Sequence, residues 1–187
     1  MPTQTMSLDP AAATAATASQ PRLRLRAPRL GDGAHLWRIA RDSQVLDLNS
    51  SYAYVLWCRD FAATCVVAED RDGAVVGFVI GYVRPDAPDT LFVWQVAVDA
   101  AQRGRGVAAD MLNALLDTVA DAGITTLETT VAPSNTASRA LFAAVARSRG
   151  AHLRIVDLFD ATDFPDAHEA EQLHVIVPVR RHSQEEK

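Results

Sequence analysis

The sequence predicts one α/β domain built on a mixed, mostly antiparallel sheet flanked by helices. Three observations predict it. Short β-rich runs come early and are joined by a hairpin signal. Amphipathic helices separate the later runs. The order reads β-α-α-β-β-β-α-β-α-β-β.

The elements follow in chain order. Arg22 to Arg26 (RLRLR) alternates basic and apolar residues, the period of a half-buried strand. Leu36, Ile39 and Ala40 have helical spacing within 31–41, and a second short helix is expected over 50–61 with Ser50 or Ser51 as its N-cap. The β-rich runs 64–69 and 74–83 are joined by Asp70-Arg71-Asp72-Gly73, an Asp-Gly hairpin turn. After Pro85–Pro88 comes a strand over 90–98, TLFVWQVAV. The stripe Ala108, Met111, Leu112, Leu115, Leu116, Val119 marks a helix over 106–122, stopped at Gly123. A strand over 124–131 follows, then Pro133-Ser134-Asn135 and a helix to about 149 with Leu141, Phe142 and Val145 on one face. Runs 153–159 and 172–179 close the sheet.

Composition narrows the function classes. The 187 residues carry 18 Lys+Arg against 23 Asp+Glu, a net charge of −5. Nucleic-acid binders carry the opposite bias, because they must neutralise phosphates. No apolar run approaches the roughly 20 residues that span a bilayer, so a membrane partner is not expected. Cys58 and Cys65 are too few for a disulfide scaffold, lack metal-ligand company and read as small buried hydrophobes, and no metal site is expected. Residues 1–20 are rich in Ala, Thr and Ser, with no basic or apolar signal regions, and read as a disordered leader. Residues 21–179 form the domain, 180–187 a polar tail, and the compartment expected is the cytoplasm.

The chemistry concentrates in 92–110, where a strand runs through Gln102-Arg103-Gly104-Arg105-Gly106-Val107-Ala108 into an amphipathic helix. Small residues at such a junction leave backbone N–H groups uncovered beside the partial positive charge of the helix start, which suits a pyrophosphate. The arginines add full charges. A P-loop would need Gly-Lys-Ser/Thr, but the only lysine is Lys187. The dinucleotide fingerprint is met only loosely, with no acidic residue closing a strand about 20 residues later.

The loop Arg103-Gly104-Arg105-Gly106-Val107-Ala108 resembles the acetyl-CoA loop of the GNAT acetyltransferases, and the flanking strands and the Asn135-bearing helix fall where that family places theirs. The resemblance implies the GNAT fold, acetyl-CoA as co-substrate, loop amides on its pyrophosphate, backbone hydrogen bonds from Val96 and Val98 to the pantetheine arm, and Asn135 and Ser138 near that arm. It also implies a homodimer. Further strings, LDLNSSYAY (46–54), FVWQVAV (92–98), LETTV (127–131) with Pro133-Ser134-Asn135, and HEAE (168–171), resemble the L-2,4-diaminobutyrate acetyltransferases of ectoine synthesis. That implies acetyl transfer to the side-chain (γ) amine of diaminobutyrate.

Such a substrate brings two ammoniums and one carboxylate. Asp47 with Tyr52 suits an ammonium, Trp94 suits the aliphatic stem and a cation–π contact, and Asp166 and His168 are candidates for the α-amino and carboxylate groups. Many relatives carry a basic glutamate on the strand before the loop, but Trp94 and Gln95 stand here. Glu128 is then the first candidate base, Asp47 the second and His168 the third, while Glu128 could equally pair structurally with Arg139. Phe142 stands where many relatives have a proton-donating tyrosine, so the thiolate needs water or another group. Other amines, a peptide substrate, or a non-catalytic acyl-CoA module remain alternatives at this point.

Overall fold

In the computed structural model, residues 23–180 are described. The leader 1–20 and the tail from 181 lie outside them. Seven strands and four helices follow the expected order. They are β1 (Arg24–Arg26), α1 (Gly33–Ser43), α2 (Ser51–Asp60), β2 (Val66–Glu69), β3 (Val75–Arg84), β4 (Ala87–Val98), α3 (Val107–Ala120), β5 (Thr126–Val131), α4 (Thr136–Ser148), β6 (His152–Phe159) and β7 (Glu171–Val177). The sheet order is β1-β2-β3-β4-β5-β7-β6. Every pair is antiparallel except β4–β5.

Two apolar layers sandwich the sheet. Leu36, Ile39, Tyr54 and Trp57 of α1 and α2 meet Phe78 and Ile80 of β3 on one face. Met111, Leu112, Leu116 of α3 and Phe142, Val145 of α4 meet Val79, Leu91 and Leu127 on the other. Being covered on both faces, β3 reads as the near-continuous apolar run VVGFVIGYV rather than an alternation. The predicted turn forms at 70–73: Gly73 takes φ +82°, and Asp70 Oδ1 accepts from the Asp72 and Ala74 amides. Thr64, expected in a strand, instead ends a short 3-10 turn and donates its hydroxyl to the Gly81 carbonyl at 2.7 Å.

One irregularity shapes the centre of the molecule. Ile80 pairs with Gln95, but Gly81 pairs with Val93, so Trp94 is an extra residue in β4. A bulge of this kind bends the strand and resets which face its side chains meet. Before it, Leu91 and Val93 pack in the α3/α4 layer; after it, Ala97 packs in the α1/α2 layer while Val96 and Val98 turn towards α3. Gly81 is required opposite the bulge, since a Cβ there would lie 2.6 Å from the Phe92 carbonyl oxygen.

β4 and β5 pair only through Thr90–Thr126, Leu91–Leu127 and Phe92–Glu128. Beyond Phe92 the bulge carries β4 away, while β5 stays with β7 as far as Val131–Gln172. The two parallel strands therefore splay into a V whose apex is the Phe92–Glu128 pair.

Candidate active site

The mouth of the V is closed by the turn between β4 and α3. Its root is pinned where Arg38 of α1 grips Asp99 with two hydrogen bonds of 2.9 Å. Gly104 and Gly106 then take φ of +73° and +79°, a left-handed backbone that side chains resist. A Cβ at either would meet nothing within 4 Å, so the loop backbone is open from outside. Gly106 is the N-cap of α3 and has no side chain to cap the first turn. The amides there, Val107 and Ala108 included, present donors and the positive end of the helix dipole to an incoming anion. Arg103 Nε donates to the Val98 carbonyl at 3.1 Å, tying the loop to the strand, and Arg105 donates to Gln102. These features fit a pyrophosphate on the loop and a linear arm in the gap.

Val96 and Val98 stand on the stretch of β4 that β5 leaves unpaired, as the proposed arm contact needs. Asn135 has a use of its own. It is the N-cap of α4, its Oδ1 accepting from the Ser138 amide at 3.0 Å. The Asn135 amide nitrogen is not used in the cap.

On the α2 face of the V lies a polar and aromatic group. Trp94, 51 % exposed, stands edge-on to Trp57 at 5.2 Å, and Tyr82 stacks obliquely on Phe92 at 5.4 Å. The Asp47 carboxylate accepts from His168 Nε2 at 3.1 Å, although 121 residues separate them. His168 Nδ1 donates to the Glu169 carbonyl at 2.8 Å, and Phe164 stacks on the ring at 4.2 Å. With acceptors at both nitrogens the imidazolium is favoured. The Glu169 carbonyl, more than Asp47, raises its pKa above the ordinary value against the opposing effect of burial.

Glu171 was not among the residues expected from the sequence. Its Oε1 lies 4.0 Å from His168 Nε2. Burial raises its carboxyl above the usual range, with His168 and a hydrogen bond from Thr130 pulling the other way. Its signal in the sequence is the string His168-Glu169-Ala170-Glu171, and β7 begins at Glu171, one residue before the expected run 172–179.

Glu128 closes the apex. Its carboxylate is held by Arg84 at 2.7 Å, and not by Arg139, whose guanidinium donates to the Pro133 carbonyl instead. The reason is strand geometry. Arg84 and Glu128 project from the same face on either side of β4, whereas Arg139 belongs to α4 on the opposite face. Two expected residues are not drawn in. Tyr52 is 67 % exposed on the first turn of α2, and Asp166 is exposed two residues before His168. Among the described residues no hydrogen bond joins either to the Asp47–His168 pair.

The cysteines are no nucleophiles. Burial pushes the Cys58 thiol up to about 11 and the Cys65 thiol up to about 12, so neither supplies a thiolate near neutral pH. Among the described residues no group of three His, Cys, Asp or Glu is placed to hold a metal ion.

Comparison with known proteins adds four findings. A family model described as the acetyltransferase (GNAT) family matches residues 34–146. An L-2,4-diaminobutyric acid acetyltransferase of Nocardia farcinica is 63 % identical over 155 residues, covering 83 % of this chain and 80 % of its own. One from Streptomyces coelicolor is 60 % identical over 165 residues, covering 87 % and 97 %. Among solved structures, diaminobutyrate acetyltransferase EctA from Paenibacillus lautus, in complex with its substrate L-2,4-diaminobutyric acid and coenzyme A, matches with a TM-score of 0.80. It is 42 % identical and covers 85 % of this chain and 96 % of that one.

Proposed function

We infer the function from one premise: the chain belongs to the GNAT acetyltransferases, and within them to the L-2,4-diaminobutyric acid acetyltransferases. It is an acyltransferase that moves the acetyl group of acetyl-CoA, its co-substrate, to the γ amine of L-2,4-diaminobutyrate, a step of ectoine synthesis. The observation that carries this reading is the V between β4 and β5. An anion-binding helix start lies at its mouth, and an acidic and aromatic group lies beside its apex.

The roles follow from chemistry. The arm of acetyl-CoA enters between Val96–Val98 and β5, with its pyrophosphate on the 103–108 loop. Asp47 and Glu171 attract the substrate's ammoniums, His168 orients both carboxylates, and Trp94 covers the aliphatic stem. The γ ammonium gives a proton to Glu128, whose other oxygen is not the one engaged by Arg84. The freed amine forms a bond to the thioester carbonyl carbon, the C–S bond breaks, and the surplus proton of the attacking nitrogen passes through water to the departing thiolate, leaving the amide and CoA thiol. A second reading, with Glu171 as the base, is favoured by its burial-raised carboxyl, since a base works best with a pKa near the operating pH.

The same reading places the enzyme in the cytoplasm, where acetyl-CoA is available, and as a homodimer. No helix among the described residues is long and apolar enough to cross a membrane. Support for the dimer comes from β6, an edge strand with Ile155, Leu158 and Phe159 exposed. The leader and tail we take as polar extensions of a single 21–179 domain.

The test is a thiol-release assay with acetyl-CoA and a panel of amines, with the product's acetylation site read by NMR. Turnover of diaminobutyrate to the Nγ-acetyl product is expected. Turnover only with a polyamine or a peptide N-terminus would replace the substrate assignment, and CoA binding without turnover would make the chain a binding module. Light scattering should return twice the monomer mass.

A further inference from the structure

Asp47 carries the amine site on a loop, and its side chain is 84 % exposed, so packing does not hold it in place. The Ser43 hydroxyl receives the amides of Val45 and Leu46, which accounts for the loop only as far as 46. At 47 the support changes. Gln95 Nε2 donates to the Asp47 carbonyl at 2.8 Å, and Gln95 Oε1 accepts from the Tyr54 hydroxyl at 3.1 Å. Gln95 is 5 % exposed and Tyr54 0 % exposed, with the tyrosine ring edge-on to Phe78.

The bulge is what allows this. In a regular strand Gln95 would face the same layer as Leu91 and Val93, away from α2. The extra residue Trp94 turns it over, so the irregularity that opens the V also aims the Gln95 amide at the Asp47 loop. The position needs a donor and an acceptor together, and the Gln95 amide supplies both with no charge.

We propose that Gln95 is a positioning residue for acetyl transfer. Through the Asp47 carbonyl it locks the amine-binding loop to the strand that lines the acetyl-CoA gap, so the amine and the thioester are held in one frame. This rests on the functional reading above.

Three variants of the full chain test it, by steady-state kinetics and by hydrogen exchange without any substrate. Gln95→Leu fills the same space but makes neither bond. Its KM for diaminobutyrate should rise roughly tenfold, which corresponds to about 1.4 kcal/mol, the scale of one buried hydrogen bond. Its KM for acetyl-CoA should stay within about twofold of the parent's, well below the change expected from that bond. Exchange should quicken over 44–50 but not over β3. Tyr54→Phe keeps the Asp47 bond and should leave the amine KM within about threefold, less than the loss of a typical net hydrogen bond. Gln95→Glu, as carboxylate, offers only acceptors to the Asp47 carbonyl; protonated, it regains a donor. Its amine KM relative to the parent's should therefore fall as pH is lowered.

Parallel rises in both KM values, an amine KM like the parent's in both Gln95 variants, or exchange that quickens across the whole sheet would overturn the proposal. So would loss of fold in both Gln95 variants, which would make the residue a core strut. The exchange measurement needs no turnover, so an inactive parent would count against the functional reading alone.

Discussion

Gly81→Ala is the substitution whose effect the structure defines most sharply. The new Cβ would sit 2.6 Å from the Phe92 carbonyl oxygen and 3.3 Å from Val93 Cα, where ordinary contact begins at 3.4 Å. Relief therefore requires 3.4 − 2.6 = 0.8 Å of separation between β3 and β4. That is about a sixth of the normal inter-strand spacing. The obstacle is backbone in a paired strand and cannot swing aside like a side chain. Overpacking of this kind costs about 1–3 kcal/mol. At roughly 2–4 °C per kcal/mol for a chain of this size, Tm should fall by about 2–12 °C. The displaced atoms are at the apex of the V, so the KM for acetyl-CoA should rise as well. Gly31→Ala is the control, because its Cβ would meet nothing within 4 Å. Thermal unfolding by circular dichroism and KM for acetyl-CoA read the two effects. A Gly81→Ala protein that melts with the Gly31→Ala control and keeps the parent's KM would show that the bulge does not need a glycine opposite it.

Other predictions are briefer. Gly106→Ala puts a side chain at φ +79° with no clash, so only the left-handed penalty of about 1–2 kcal/mol applies; acetyl-CoA KM should rise while diaminobutyrate KM holds. Glu128→Gln should lower kcat by about 10²–10⁴, the contribution of a positioned base, and Glu171→Gln should chiefly raise the amine KM; the reverse pattern in pH–rate profiles would move the base to Glu171. His168 has a folded pKa above its unfolded value, so its stabilisation is full below pH about 6.5 and disappears as pH rises through the folded value. The Tm gap between the parent and His168→Asn should accordingly narrow from pH 6 to pH 9, measured by differential scanning fluorimetry.

The strand and helix order was legible because the helices carry a helical period and the strands are short β-rich runs, and Ser50 does cap α2 as its position suggests. Long-range facts were less legible. The Trp94 bulge leaves no local trace, because FVWQVAV reads as an unbroken strand and only the pairing with Gly81 exposes the extra residue. The Glu128 ion pair was not legible, since Arg84 reaches it from a strand 44 residues away. The meeting of Asp47 and His168 has no signature in spacing, and Glu171 was hidden by a one-residue error in where β7 begins. Pairwise chemistry between distant segments depends on register, and one bulge moves the register.

The position of β7 bears on the order in which the molecule can be assembled on a ribosome. β6 is synthesised before β7, yet in the sheet β7 lies between β5 and β6. Until Glu171–Val177 emerges, β5 and β6 each wait with an open edge, while β1 to β4 and the loop into α3 already have their partners. The 103–108 loop is thus made early in translation, while β5, the other wall of the gap, still waits for β7. His168 and Glu171 arrive with the strand that closes the sheet, so the Asp47–His168 contact and the fixing of β5 belong to the same late event.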